Sequence, residues 1–148
     1  MTDMISNSLN HLHPIFSHFP IVLLIASVAL DLLALRRPTW RESAWLALLI
    51  GTLGALASTV TGLIAHLPYE ETPVIAVIEP HQFLAFGTTA LFLLLSAWRW
   101  LARRRGEQRI GWPYAAVAIV GLGLLTLTGM TGGNLVYNYG VGVEQIVR

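Results

Sequence analysis

The chain has 148 residues, of which 55% are hydrophobic and only 11% are charged, whereas soluble domains average about 25% charged residues. The formal net charge of +1 gives no global electrostatic attraction to nucleic acid. The lack of cysteine excludes disulfides, thiolate metal sites, cysteine nucleophiles and covalent c-type haem attachment. We therefore predict a small integral membrane protein with one domain over residues 1–148 and the lipid bilayer as its first partner.

Four apolar stretches follow one another along the chain, and each has the roughly 20 mostly apolar residues that a spanning helix needs. The predicted helices cover about residues 14–35, 43–67, 80–100 and 112–133. The apolar segment 73–78 is too short to span, and we expect it to lie at the membrane interface. Short connections favour antiparallel neighbours, so the expected fold is an all-α four-helix bundle. No repeat with a period of about 20–50 residues is evident.

The arginines fix the predicted orientation of this bundle. Eight of the nine lie in or beside two of the three connections: Arg36, Arg37, Arg41, Arg99, Arg103, Arg104, Arg105 and Arg109. The remaining connection contains acidic residues and no arginine. Because positively charged loops stay on the cytoplasmic side, we expect both termini on the outer, periplasmic side.

Polar residues are concentrated in the outer half of the predicted bundle. All five histidines lie on or near that side, together with most of the intramembrane threonines. Polar groups at membrane depth usually face the bundle interior or a watery cavity. We therefore expect His18, His66 and His81 to face one outward-opening pocket, with His18 and His81 nearest each other. Pro20 is expected to bend the first helix beside His18, since proline frees a helical carbonyl.

Two further features are assigned structural roles. Asp31 lies near the cytoplasmic end of the first helix and is expected to pair with Arg36, Arg37 or Arg99, with a proton or ion relay as the alternative. The glycines of the fourth helix are expected to lie at a close contact with the second helix, because small residues let membrane helices approach. These glycines are Gly129, Gly132 and Gly133.

Two segments carry a family resemblance. HPIFSHFPI at residues 13–21 and TGMTGGNLVYNYGVGV at residues 128–143 resemble the opening and closing motifs of a bacterial four-helix membrane family known as domain of unknown function 2231. The resemblance implies a multi-pass protein of the bacterial inner membrane. Some relatives are joined to iron–sulfur or cytochrome modules, which favours electron transfer. Tyr139 and His66 depart from the pattern, since relatives often have histidine and an acidic residue there.

Three functions remain open at this point. A b-type haem protein of membrane electron transfer would take axial imidazoles from facing helices, with His18 and His81 as the first pair and His13 and His66 as a second. A copper or zinc site could use His18, His66 and His81. A cofactor-free accessory or scaffold subunit of a larger membrane complex is the third, and a homo-oligomer is a further possible assembly. The sequence contains no hydrolase motif.

The predicted orientation can be tested with fusions to alkaline phosphatase, which is active only outside the cytoplasm. A fusion at the C-terminus should be active, and a fusion within the loop at residues 103–109 should be inactive. The reverse pattern of activities would contradict the topology.

Overall fold

The computed structural model describes residues 12–107 and 111–143, and every long element in these ranges is an α-helix. The four helices are α1 (Leu12–Ala34), α2 (Arg41–His66), α3 (Ile75–Arg104) and α4 (Trp112–Tyr139). Short 3₁₀ turns at Pro38–Trp40 and Leu67–Tyr69 flank α2. Each of the four helices is long and apolar enough to cross a membrane. The predicted all-α membrane fold is therefore confirmed.

The helices form a ring in which sequence neighbours are spatial neighbours. α1 packs most extensively on α2 and α3 on α4, while contacts of α2 with α3 and of α1 with α4 close the bundle. Leu24, Leu48, Phe92 and Leu95 are fully buried at its centre. Large apolar side chains also cover the outside of the bundle, as expected of helices that face lipid.

The two ends of the bundle differ in chemistry, and we call them the histidine end and the arginine end. The histidine end contains the start of α1, the end of α2, the start of α3 and the end of α4. The arginine end contains the opposite helix ends. Both described chain ends lie at the histidine end, because residues on either side, His13 and Gly142, line the same cavity.

Two helices are longer than the sequence predicts. α3 begins at Ile75, so most of the segment expected at the interface is helical, and Ile78 is buried. α4 continues through its glycines to Tyr139 and ends at Gly140, whose φ of +63° provides a left-handed cap. Glycines are common inside membrane helices, which explains why they do not end α4.

Glycines of α2 allow it to approach α1 closely, and a glycine of α4 allows it to approach α3 closely. A Cβ atom at Gly51 would lie 2.8 Å from the Leu24 side chain of α1. At Gly54 the nearest atoms belong to the buried Pro20, which packs against α2. In α4 a Cβ at Gly121 would lie 3.2 Å from the Phe92 ring of α3. Close packing within each hairpin is thus the structural role of these glycines.

The α1–α2 hairpin and the α3–α4 hairpin repeat the same pattern. Buried positions of α1 match buried positions of α3 with a period of about 70 residues, which is longer than the roughly 20–50 residues of common short repeats. The matched pairs are Pro20 with Thr88, Leu24 with Phe92, Ser27 with Leu95, and Asp31 with Arg99. The hairpins therefore correspond to two parallel repeats, such as those related by an axis along the membrane normal.

A buried ion pair joins the two hairpins at the arginine end. Asp31 of α1 is 2% exposed and accepts a hydrogen bond from Arg99 of α3, which is 6% exposed. Arg99 also donates to the backbone carbonyl of Arg41 at 2.8 Å. Its guanidinium carbon lies 6.0 Å from the ring centroids of Trp45 in α2 and Tyr114 in α4. Of the three predicted partners of Asp31, the structure thus selects Arg99, and this one side chain contacts all four helices.

Removing one member of this pair should destabilise the bundle strongly, because the other charge is left buried without compensation, at a cost of about 3–5 kcal/mol. Asp31→Leu is expected to lower Tm in detergent well below that of the wild type. The double variant Asp31→Leu/Arg99→Leu should recover part of this loss. A double variant less stable than the sum of the two single variants would contradict the assignment.

Candidate functional site

A cavity of about 470 Å³ opens at the histidine end. Residues from all four helices form its wall, and threonines, glycines and apolar side chains predominate among them. The four histidines in the described part of the chain all line it: His13, His18, His66 and His81. His11 lies outside the described residues. The arrangement makes this cavity the candidate site of the protein.

His13 is held by α2 through one ring nitrogen. Its Nδ1 lies 3.0 Å from the carbonyl oxygen of Ser58 and 3.4 Å from the hydroxyl of Thr61. A Cβ atom at Gly62 would come within 2.9 Å of the ring, so glycine provides the space that the imidazole occupies. Burial lowers the pKa of His13, against the opposing effect of the hydrogen bond to Ser58. The neutral ring is thereby favoured.

His81 is held by α4 in the same way. Its Nδ1 lies 3.1 Å from the carbonyl oxygen of Thr128 and 3.0 Å from the hydroxyl of Thr131. A Cβ atom at Gly132 would lie 3.0 Å from this ring. The two imidazoles therefore occupy equivalent positions in the two hairpins, each anchored by the second helix of its own hairpin.

The anchoring determines which ring nitrogen carries the proton. A carbonyl oxygen can only accept a hydrogen bond, so Nδ1 of a neutral His13 or His81 must be the donor. The Nε2 atom of each ring then has a free lone pair, which is the form of imidazole that binds a metal. His13 and His81 line the same cavity. The structure thus places one metal-competent imidazole from α1 and one from α3 on its wall.

The other two histidines lie elsewhere on the cavity wall. His18 is exposed on α1, one and a half turns beyond His13. His66, at the end of α2, lies 3.7 Å from the carboxylate of Glu70. The structure therefore places His13 against α2 in a partly buried setting and His18, the expected first ligand, in a more open one.

Hydroxyl pairs line the cavity floor and connect neighbouring helices. Thr59 and Thr89 join α2 to α3 at 2.9 Å, and Thr88 and Thr128 join α3 to α4 at 2.9 Å. In each pair one hydroxyl can donate to a carbonyl of its own helix while accepting from its partner. Polar groups that would be costly in lipid are therefore satisfied within the bundle.

The end of the chain folds back over the cavity. Gly140 and Gly142 have φ of +63° and +75°, which favours glycine at both positions. The turn brings the amide of Gly142 to the hydroxyl of Tyr69, at 3.1 Å. The segment 141–143 thus lies on the cavity wall beside the end of α2.

The glycines of α4 have a different environment from the one predicted. Gly132 contacts His81 of α3, and a Cβ at Gly129 or Gly133 would meet no other group within 4 Å. All three residues line the cavity instead of a contact with α2. The physical reason is the ring order of the helices, which places α4 against α3 and α1.

Sequence reasoning missed the anchoring residues, although a signal for them exists. Ser58–Gly62 reads STVTG and Thr128–Gly132 reads TGMTG, so a Ser/Thr-x-x-Thr-Gly pattern occurs once in each hairpin. The pattern places the carbonyl of its first residue, the hydroxyl of its threonine and the open space at its glycine on one helix face. This is because residues three and four apart are neighbours on a helix.

In the part of the chain that the structure describes, no three histidine or acidic side chains are close enough to hold a metal ion.

Comparison with known proteins identifies a family and nothing beyond it. The family model described as "Predicted membrane protein (DUF2231)" matches residues 10–145, which confirms the resemblance carried by the two motifs. No curated protein matches the chain, and no solved structure does.

The spacing at the His81 anchor can be tested with two adjacent glycines. Gly132→Leu should lower Tm in detergent clearly, because its side chain would displace His81 from Thr128. Gly133→Leu is the matched control and should have a small effect, since open space surrounds that position. Equal effects of the two substitutions would contradict the anchoring role of Gly132.

Proposed function

We propose a function for this chain, which belongs to the DUF2231 family of predicted membrane proteins: it is a b-type haem protein that transfers electrons in the membrane. The observation that carries the proposal is the pair of equivalent imidazoles, His13 and His81, anchored from α2 and α4. Haem iron in a helical bundle takes its axial ligands from facing helices. α1 and α3 are the two helices that supply them here.

Three features of the site fit a haem group. Both rings donate through Nδ1 to a backbone carbonyl, as ligating histidines generally do, and this fixes the ring orientation. The cavity volume of about 470 Å³ lies within the usual range of roughly 300–1,000 Å³ for small-molecule and cofactor sites. Apolar side chains make up much of the wall, for example Ile21, Phe86 and Leu125. A flat and largely apolar macrocycle requires such a wall.

The chain's own groups have separate roles in this proposal. A bound haem would supply one-electron redox chemistry through its iron. Ser58 and Thr128 orient the imidazoles through their carbonyl oxygens, while Thr61 and Thr131 place hydroxyls beside the same ring nitrogens. Because these partners increase ligand basicity, they favour the oxidised state of the iron. The apolar wall limits access of water, and this favours the reduced state of the iron.

The proposed location follows from the orientation predicted by the arginines. The protein would be a multi-pass protein of the bacterial inner membrane with both termini outside. The histidine end, and with it the haem, would then face the periplasm. A redox partner in the membrane, or one approaching from the periplasm, would exchange electrons at this end.

Absorbance spectroscopy of the protein purified in detergent tests the proposal. The wild type, supplied with haemin where needed, should show a Soret band and a pyridine haemochrome spectrum of haem b. His13→Ala and His81→Ala should each abolish the low-spin spectrum. His18→Ala and His66→Ala are matched controls that remove a cavity imidazole and should retain it.

Other outcomes would favour the alternatives. Loss of the spectrum in His18→Ala but not in His13→Ala would replace the proposed pair with His18 and His81. Copper or zinc retained in place of haem, and lost in His66→Ala, would indicate a metal site. A wild type that binds neither haem nor metal would overturn the proposal in favour of a cofactor-free accessory subunit.

A further inference from the structure

A second pocket, of about 290 Å³, lies at the arginine end, far from the histidines. The end of α3 and the starts of α2 and α4 form its wall. Nothing in the proposed redox function uses it. Its chemistry is nevertheless unusual, because among the described residues it combines a cation without an ion pair and a buried hydroxyl without a hydrogen bond of standard geometry.

The hydroxyl belongs to Tyr114, which is 5% exposed. Its oxygen is buried and makes no hydrogen bond of standard geometry among the described residues, although the guanidinium of Arg99 lies close to it. An unsatisfied buried hydroxyl costs free energy, so the position calls for a partner that the described chain does not supply. Tyr114 lies on the wall of the pocket, and a ligand there could provide an acceptor.

The free cation is Arg41. The other two guanidinium groups of the pocket are already committed, Arg99 to Asp31 and Arg103 to both carboxylate oxygens of Glu42. Within residues 12–107 and 111–143, Arg41 has no acidic partner. The carboxylate of Glu42 is neutralised by its own ion pair, so the exposed Glu107 is the one unpaired acidic residue among the described residues of the wall.

The start of α4 adds a third group that attracts anions. Among the described residues no side chain caps this helix at Gly111, and Pro113 has no N–H, so the amides of Trp112 and Tyr114 are the first-turn donors at the positive end of its dipole. Helix N-termini of this kind favour phosphate groups. A cation, a hydroxyl donor and free amides together select an anion with several acceptor oxygens.

The depth of the pocket indicates where that anion comes from. All five tryptophans lie at this end of the bundle, four of them exposed: Trp40, Trp98, Trp100 and Trp112. Exposed tryptophans mark the headgroup level of a membrane, and basic pockets between membrane helices bind lipid headgroups. We propose that this pocket binds the phosphate of a phospholipid headgroup, with the guanidinium of Arg41, the hydroxyl of Tyr114 and the first-turn amides of α4 other than Pro113 as donors.

Thermal unfolding in detergent micelles tests the site, with dioleoylphosphatidylglycerol as the probe. Added lipid should raise Tm of the wild type by several degrees. Dioleoylglycerol, which has the same chains without phosphate, should not, and neither should inorganic phosphate at the same concentration. A response to dioleoylglycerol would assign the effect to the acyl chains, and an equal response to inorganic phosphate would assign the pocket to a soluble anion; either would overturn the proposal.

Two variants connect the response to the pocket. Tyr114→Phe should fold with unchanged or slightly higher Tm without lipid, because it removes an unsatisfied hydroxyl, yet it should lose most of the lipid-induced shift. Arg41→Gln should weaken lipid binding about tenfold, the usual effect of losing a hydrogen bond to a charged group. Arg36→Gln, which removes a charge at the same end outside the pocket, is the control and should respond as the wild type does. Wild-type responses in both pocket variants would overturn the proposal.

Discussion

The ion pair between Asp31 and Arg99 is the constraint on which the arrangement of the four helices depends. Two charges buried in a membrane bundle are tolerated only when each satisfies the other and the remaining hydrogen bonds are made. Arg99 meets this requirement by donating to Asp31 and to the Arg41 carbonyl while lying between two aromatic rings. Any sliding or rotation of one hairpin against the other would break these contacts. The pair therefore fixes the register of α1 against α3.

That register has its main effect at the other end of the bundle. His13 and His81 lie 18 residues before Asp31 and Arg99 on their own helices, which corresponds to about 27 Å of helix and nearly the thickness of the bilayer core. Because both distances are equal, aligning the charges also brings the imidazoles to one depth. The relative depth of His13 and His81 is thus tied to an interaction at the opposite end of the bundle.

The fold could be predicted from sequence because a helix that crosses lipid needs a long run of apolar residues, which is easily recognised. Runs of apolar residues define spanning helices, and their short connections define which helices are neighbours. Helix ends were less predictable, since the end of α4 depends on a left-handed Gly140 and not on the glycines inside the helix. The site could be predicted only in part. The clustering of histidines at one end of the bundle was evident, but the anchoring of His13 depends on contacts with Ser58 and Gly62 that arise only when α1 packs on α2.

The repeated hairpin has a consequence for how the halves of the molecule can combine. His13 and His81 are identical residues at matching positions, so two copies of either hairpin could in principle bring two imidazoles together. Asp31 and Arg99 are matching positions with opposite charge. Two first hairpins would face each other with two carboxylates, and two second hairpins with two guanidinium groups, each a costly arrangement in the membrane. Only unlike halves neutralise one another, so the charge pattern favours pairing of the first hairpin with the second over pairing of two identical hairpins.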